Sequence, residues 1–248
     1  MKLYFLSGGM LDAARSVIHP GDDSRHRVTL PVMQVLIESD GKRLLVDTGL
    51  PSTVAGDTDA LRREYGIEPD WIRAQIGAEE RVDRQLARVG LTPSEVDLVV
   101  NTHFHFDHAG GNALFAGVPF WVQEAEIMAA REDGYLPVWD APHLQFFTVV
   151  GDWSPLPGVQ MLHTPGHTPG HQSMLVRLEH ETWLFTWDAV YTEEHWRQDK
   201  VGAVVDAAAA RASIERLRQI AAAEKARLIF GHDPAQWDSL KHAPNYYE

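Results

Sequence analysis

Four side chains that can bind a metal ion lie within six positions of one another: His103, His105, Asp107 and His108. A regular helix would distribute them around its axis, whereas an extended turn at the end of a strand can direct all four at one point. Imidazole and carboxylate groups at this density are typical of a site for zinc or a similar transition-metal ion. The alternative is a solvated polar loop. It is disfavoured because later parts of the chain supply the partners that a two-metal site needs.

The segments on either side of this cluster have the patterns of regular structure. Residues 96–100 are largely apolar and β-branched, which predicts a buried strand. Gly110 and Gly111 follow the cluster and allow the backbone to pack closely where a helix begins. We therefore expect the cluster at the end of a strand.

A strand followed by a polar turn recurs along the chain. We predict this arrangement at Asp47, at Asp188 and at His232, and the turn at residues 164–171 carries His167. Strands with helices interspersed in both halves predict two sheets that face each other, with helices outside. No internal repeat or linker divides the sequence, so we predict one domain over residues 1–248.

Local signals give the remaining elements. Asp40 and Gly41 indicate a hairpin turn between strands at 28–39 and 43–47. Residues 92–95 have the pattern of a capping box. We expect residues 8–27 to form a long loop, and residues 133–145 to form an irregular aromatic segment that could line a pocket. Further strands are predicted at 3–6, 119–123, 146–150, 159–163, 173–178, 182–186 and 227–230, and helices at 58–65, 78–89, 112–115, 124–131 and 206–225.

Composition excludes several classes of function. The 248 residues are 44% hydrophobic and carry a net charge of −13 without a long basic run, which argues against nucleic acid and anionic membranes as partners. The sequence has no cysteine, so any metal must use nitrogen and oxygen ligands. The first apolar run is too short for a signal peptide, and no stretch approaches a membrane span. A cytoplasmic protein is the expectation.

The histidine and aspartate motifs resemble those of the metallo-β-lactamase superfamily. The resemblance is carried by Thr-His-Phe-His-Phe-Asp-His at 102–108, Thr-Pro-Gly-His at 164–167, Asp188 and His232. Within that superfamily the chain is similar to the quorum-quenching N-acyl homoserine lactonases, at residues 45–49, 105–112, 164–172, 188–192 and 230–233. Trp187 departs from that pattern, which usually has a small residue or an isoleucine there. The resemblance implies an αββα sandwich with the site at one edge.

The same resemblance implies a ligand set for two divalent ions. Zinc is the default, and cobalt, manganese or iron are alternatives. Two divalent ions, two carboxylates and one hydroxide leave a net charge of about +1, enough to polarise an ester carbonyl. One ion would be held by His103, His105 and His167, and the other by Asp107, His108 and His232, with Asp188 bridging both.

The implied reaction is hydrolytic opening of a lactone ring. A hydroxide that bridges the two ions would attack the lactone carbonyl. The hydroxyl of Tyr191 would help to stabilise the developing oxyanion, unless this residue is only a packed aromatic. Asp107 or Asp188 would transfer the proton to the leaving alkoxide. The expected ligand is a small lactone with an acyl chain, and the expected assembly is a monomer or a homodimer.

Several residues receive supporting roles. We expect Asp47 to orient a metal ligand rather than only to form a turn. His171 is expected to support the site or to be a ligand itself, and Asp233 either orients His232 or is a turn carboxylate. Trp71, Ile72 and Ile76 are expected to form a lid or a partner-facing patch. The other histidines, His19, His26, His180 and His195, are expected at the surface, and the candidates for an acyl-chain cleft are Met10, Leu11, Phe106, Tyr135, Leu136, Trp139 and Phe146.

Other functions remain to be separated from this one. A glyoxalase II-like thioesterase shares the motif at 166–171, but that family has a C-terminal helical domain, whereas this sequence ends soon after His232. A nuclease is disfavoured by the acidic charge, and a diiron oxidoreductase would prefer a carboxylate in place of His105. A metal-binding or signal-binding protein without turnover is the alternative from another class.

Overall fold

The computed structural model describes residues 1–22, 26–57, 59–132 and 135–248, and its strands form two mixed sheets. The first sheet has the order β4-β1-β2-β3-β5-β6-β7 and contains β1 (Lys2–Ala14), β2 (Arg27–Ser39), β3 (Lys42–Val46), β4 (Ile72–Gln75), β5 (Leu98–Val100), β6 (Pro119–Gln123) and β7 (Gln145–Val149). The second has the order β12-β11-β10-β9-β8 and contains β8 (Trp153–Leu156), β9 (Val159–His163), β10 (Gln172–Arg177), β11 (Thr182–Trp187) and β12 (Arg227–Phe230).

Helices connect these strands. They are α1 (Ala60–Tyr65), α2 (Val82–Arg88), α3 (Phe106–Ala109), α4 (Glu124–Glu132), α5 (Glu193–Gln198), α6 (Ala207–Glu224) and α7 (Pro234–Ser239). Single 3₁₀ turns occupy Arg15–Val17, Ser52–Val54, Ala78–Glu80, Pro93–Glu95, Asn112–Leu114 and Pro137–Trp139. Among the helices of the described residues, none combines the length and the apolar character that crossing a membrane requires.

Alternation along the strands produces the layers. On β3, Leu44 and Val46 face the core between the sheets, and Leu45 faces the helix layer with α2. On β11, Phe185 faces the same core, and Leu184 packs against α6. Apolar side chains thus cover both faces of each sheet. The αββα sandwich expected from the sequence is confirmed.

The hairpin between β2 and β3 forms as predicted. Ser39 pairs with Lys42, and the two turn residues, Asp40 and Gly41, have φ values of 50° and 73°. Positive φ at both central positions is the geometry that favours Asp-Gly in a two-residue turn. The turn places Asp47, at the end of β3, next to the end of β5.

The expectation of a long loop at residues 8–27 is wrong, because β1 continues to Ala14. Gly9, at φ 90°, lies at a register shift between Ser7 and Met10 instead of ending the strand. Beyond the shift, β1 pairs with β2 on one side and with β4 on the other. Residues 23–25 of that predicted loop lie outside the described residues.

Other elements differ from the predictions in smaller ways. Ile72 and Ile76 are buried and pack in the core beside β1, so neither forms an exposed lid or a partner-facing patch, whereas Trp71 is 58% exposed. Strands β4 and β8 and helices α3, α5 and α7 were not predicted. The predicted helix at 58–65 begins at Ala60, and Thr58 lies outside the described residues. Residues 133–134 of the predicted aromatic segment also lie outside them.

Candidate metal centre

The candidate ligands come together at one edge of the sandwich, where several strands end. The cluster at 103–108 follows β5, Asp188 follows β11, and His232 follows β12. The turn between β9 and β10 brings His167 to the same place, and the backbone N–H of Gln172 donates to the carbonyl of Thr102. The possible ligand atoms form three overlapping groups, and the atoms of each group lie within 4.8 Å of one another. The groups are His103, His105 and His167; His103, His108 and Asp188; and Asp107, His108 and His232.

The first ligand turn combines two backbone conformations. His105 is extended, with ψ 153°, and the single helical turn α3 follows it. The N–H groups of His108 and Ala109 both donate to the carbonyl of His105. The expectation of a wholly extended turn is therefore wrong for its second half, since one turn of helix is needed to aim the adjacent side chains of Asp107 and His108 inwards.

Asp188 lies between the two halves of the ligand set. Its Oδ2 is 3.3 Å from His167 Nε2, and its Oδ1 is 3.2 Å from both His108 Nε2 and His232 Nε2. On the second side, Asp107 Oδ2 is 3.7 Å from His232 Nε2. One carboxylate that faces both groups has the placement that a bridging ligand needs.

The hydrogen bonds of the outward-facing ring nitrogens show where three of the histidines carry their proton in the neutral form. Nδ1 of His167 donates to the carbonyl of Ala203 at 2.9 Å, and Nδ1 of His232 donates to the carbonyl of Pro31 at 2.8 Å. A carbonyl can only accept, so in the neutral ring the proton is on Nδ1 and Nε2 carries the lone pair. The same reasoning applies to His108, whose Nδ1 donates to a carboxylate.

Ring nitrogens and carboxylate oxygens therefore converge inside the site. Nε2 of His167 is 3.1 Å from Nε2 of His103 and 2.9 Å from Nδ1 of His105, so three ring nitrogens face one another. His108 Nε2 and Asp188 Oδ1 are buried and have no hydrogen-bond partner among the described residues, despite lying 3.2 Å apart. This set of imidazole nitrogens and carboxylate oxygens, which face one another at short distances, fits two divalent cations.

The close approach of these charged and polar groups shifts the pKa values of the histidines. Burial and the neighbouring imidazoles hold the pKa of His103 and that of His105 well below the usual value. Burial alone would also lower the pKa of His108, but the carboxylates of Asp188, Asp107 and Asp47 raise it well above the usual value. Cation binding at His108 must therefore displace a proton that these carboxylates favour.

Asp47 holds the ligand turn from behind. Its backbone has φ 62°, and its fully buried carboxylate accepts hydrogen bonds from Thr102 N at 2.7 Å, Thr102 Oγ1 at 2.8 Å and His108 Nδ1 at 2.8 Å. The hydroxyl of Thr102 also lies 3.1 Å from Nδ1 of His103. The carboxylate thus orients His108 directly and reaches His103 through one hydroxyl.

His171 and Asp233 support the backbone around the ligands. Nε2 of His171 accepts from the N–H of Asp188 at 3.1 Å, and its Nδ1 lies 2.9 Å from Thr164 Oγ1. Asp233 caps α7 by accepting from the N–H of Gln236, and it does not hold His232. Of its two expected roles, Asp233 is the turn carboxylate.

Tyr191 lies beside the first half of the ligand set. Its hydroxyl donates to the carbonyl of Ala203 at 3.0 Å and lies 3.0 Å from Nδ1 of His167. Burial, followed by the charges of Asp188 and Asp107, raises the pKa of Tyr191 well above its usual value, so the phenol stays a proton donor. A Cβ at Gly202 would lie 2.1 Å from the tyrosine ring, which explains the glycine there.

An apolar cleft of about 250 Å³ opens onto the ligands. Two of the predicted cleft residues, Leu11 and Phe106, line it, and Trp71 joins them from the segment before β4. Trp139 and Phe146 instead pack on Phe104 in a separate cluster, because local sequence does not distinguish a cleft from a core. Met10, Tyr135 and Leu136 are also absent from the described lining, which further includes Val17, Leu30, Ile67 and Ile72.

Two buried polar residues near the site were not identified from the sequence. Glu126, on α4, is fully buried and accepts three hydrogen bonds from the ligand turns. The expectation that His195 lies at the surface is wrong: it is buried, its Nε2 donates to the carbonyl of Ile18, and its ring stacks on His19 at 4.4 Å. No local signal marks either residue. His26 and His180 are exposed as expected.

Comparison with known proteins gives a consistent set of relatives. The family model described as metallo-beta-lactamase superfamily matches residues 27–232. An N-acyl homoserine lactonase of Bacillus sp is 38% identical over 99% of this chain and 98% of its own length, and the N-acyl homoserine lactonase AiiA of Bacillus thuringiensis subsp. kurstaki is 37% identical over the same shares. The solved structure of an N-acyl homoserine lactone hydrolase, with the product N-hexanoyl-L-homoserine bound at its catalytic metal centre, is similar with a TM-score of 0.92. That match has 35% identity and covers 99% of this chain and 98% of the other.

Proposed function

This chain belongs to the metallo-β-lactamase superfamily, and we propose that it is a metal-dependent hydrolase that opens the lactone ring of N-acyl homoserine lactones. The observation that carries the proposal is the meeting of two features. An apolar cleft ends on a cluster of imidazoles and carboxylates that can hold metal ions. An acylated lactone has a matching apolar chain attached to a polar ring.

The residues proposed to hold the two cations are the seven inferred from the resemblance. Asp188 would contribute one oxygen to each side, because its two oxygens face different histidines. Two divalent cations held there would lower the pKa of water and polarise the lactone carbonyl. The nitrogen and oxygen donors favour zinc, with cobalt, manganese or iron as alternatives. The remaining proposed ligands are His103, His105, Asp107, His108, His167 and His232.

The side chains around the cations would bind the acyl chain, stabilise the developing charge and transfer the proton. Phe106 and Trp71 would hold the acyl chain in the cleft and keep water from it. We propose that Tyr191 turns its hydroxyl from the carbonyl of Ala203 towards the oxygen on which charge develops. Asp107 or Asp188 would carry the proton to the departing alkoxide.

Three expectations about the organisation of the protein beyond the site stay predictions. A single domain over residues 1–248, a cytoplasmic location, and a monomer or a homodimer are predictions. Sedimentation of the purified protein over a range of concentrations would decide the assembly.

A substrate panel tests the proposed reaction. We expect N-acyl homoserine lactones of increasing chain length to be hydrolysed orders of magnitude faster than one thioester and one β-lactam. Prior treatment with a chelator should abolish hydrolysis, and zinc should restore it. A thioester that is hydrolysed faster than every lactone would contradict the lactonase and favour the glyoxalase II-like alternative. A protein with two bound ions and no turnover of any substrate would be a binding protein.

A further inference from the structure

A buried carboxylate on α4 contacts both turns that carry the first half of the ligand set. Oε1 of Glu126 accepts a hydrogen bond from Phe104 N at 2.9 Å. Oε2 accepts from Thr168 Oγ1 at 2.7 Å and from Gly170 N at 3.0 Å. The side chain is fully buried, so water does not compete for these donors.

The donors stand next to the ligands in the chain. Phe104 lies between His103 and His105, and Thr168 directly follows His167. One carboxylate therefore fixes the backbone on both sides of the group of three histidines whose ring nitrogens lie within 4.8 Å of one another.

The helix that carries Glu126 is itself held rigidly. Helix α4 begins directly after β6, and β6 pairs with β5, the strand that leads into the first ligand turn. A Cβ at Gly170 would lie 2.4 Å from both the backbone nitrogen and the Cβ of Glu126, so the second turn rests directly on this helix. The carboxylate is thus carried by a helix that continues directly from the sheet leading into the first ligand turn.

We propose that Glu126 is a positioning residue for the cation held by His103, His105 and His167: its carboxylate ties the two ligand turns at the separation at which their ring nitrogens share one ion. The inference rests on the metal centre proposed above and does not depend on the identity of the lactone.

Only a carboxylate can accept from all the donors at once. Glutamine has the same shape but one acceptor oxygen, and its NH₂ group can only donate. If the NH₂ replaces Oε1, it faces the N–H of Phe104. If it replaces Oε2, it faces the N–H of Gly170. Either orientation leaves a buried donor without an acceptor, so Glu126→Gln should separate the two turns.

Metal binding measured without any assay of turnover tests the proposal. The apoproteins of the wild type, Glu126→Gln and Glu124→Gln are titrated with cobalt(II) against a competing chromophoric chelator, and the absorption of bound cobalt is recorded. Glu124 is the matched control because it lies on the same helix and is exposed. His105→Ala and His232→Ala supply reference spectra for proteins in which one or the other half of the set has lost a ligand.

We expect Glu126→Gln to bind one cobalt ion like the wild type and the other about 10–100-fold more weakly, the usual effect of removing a partner that orients ligands. With one equivalent bound, its spectrum should match that of His105→Ala and differ from that of His232→Ala. Glu124→Gln should behave like the wild type.

Other outcomes separate the inference from the metal centre itself. Two ions bound by Glu126→Gln with wild-type affinity would overturn the inference, and so would equal weakening of both ions. If Glu126→Gln does not fold, Thr168→Val is used instead, because it removes only one of the three donors to Glu126. Weaker binding of one ion by Thr168→Val supports the proposal, and unchanged binding of both ions overturns it. A wild type that binds fewer than two ions would instead refute the proposed centre.

Discussion

Replacing Asp47 with asparagine removes a buried charge and keeps the shape of the side chain. Asparagine also tolerates the positive φ of 62° at this position, so the backbone need not change. The change acts on the hydrogen bonds of this side chain and on the charge beside His108. The carboxylate accepts from Thr102 N through Oδ1, and from Thr102 Oγ1 and His108 Nδ1 through Oδ2.

The amide has two orientations, and both have a cost. With its NH₂ group in place of Oδ1, it faces the N–H of Thr102, and an unpaired buried donor costs about 1–3 kcal/mol of unfolding free energy. With its NH₂ group in place of Oδ2, it faces Nδ1 of His108. The imidazole can then accept only by moving its proton to Nε2, the nitrogen needed for the cation. We therefore expect cation affinity to fall about 10–100-fold, which corresponds to about 1.4–2.8 kcal/mol.

Titration of the apoprotein with zinc against a chromophoric chelator measures that affinity, and urea unfolding of the apoprotein measures the stability. Asp40→Asn is the matched control, since Asp40 also has a positive φ, of 50°, but is exposed in the hairpin turn. Asp47→Asn with wild-type affinity for both ions would refute the argument that this carboxylate sets the protonated nitrogen of His108.

Two further predictions concern the substrate side of the site. Tyr191→Phe keeps the ring against Gly202 and loses only the hydroxyl, so kcat should fall about 10²–10³-fold while two metal ions remain bound; unchanged kcat in steady-state kinetics would remove Tyr191 from the reaction. Trp71→Ala removes a 58% exposed side chain from the cleft, so KM for a decanoyl homoserine lactone should rise about tenfold, equivalent to about 1.4 kcal/mol of lost apolar burial, and KM for the butanoyl lactone should not change. Equal changes for the two chain lengths would place the acyl chain elsewhere.

The sequence predicted those features whose information is local. Strands β6, β9 and β12 have the predicted bounds, because each is a short apolar run between turn signals. The ligand residues were also recognisable, because four of them lie within six positions and the whole set matches the motifs of a known superfamily. The structure brings all seven to one edge of the sandwich.

Features that depend on distant partners were predicted poorly. Residues 8–27 were predicted as a long loop, but β1 continues to Ala14, and β4, about 60 residues later, pairs with its second half. Trp139 and Phe146 were assigned to the cleft, although they pack on Phe104. The fold decides whether such aromatic residues line a cleft or fill a core, and their spacing along the sequence is the same in both cases.

The contacts that orient the ligands also divide into those that the sequence can indicate and those that it cannot. His108 is held by the side chain of Asp47, whereas His167 and His232 donate to the backbone carbonyls of Ala203 and Pro31. A carbonyl belongs to every residue type, so no sequence pattern identifies it and no substitution of the side chain removes it. Alanine scanning of this site will therefore detect the partner that orients His108 and will miss the partners that orient His167 and His232. Glu126 lies between these cases, because its carboxylate can be mutated while two of the three donors that it binds are backbone N–H groups.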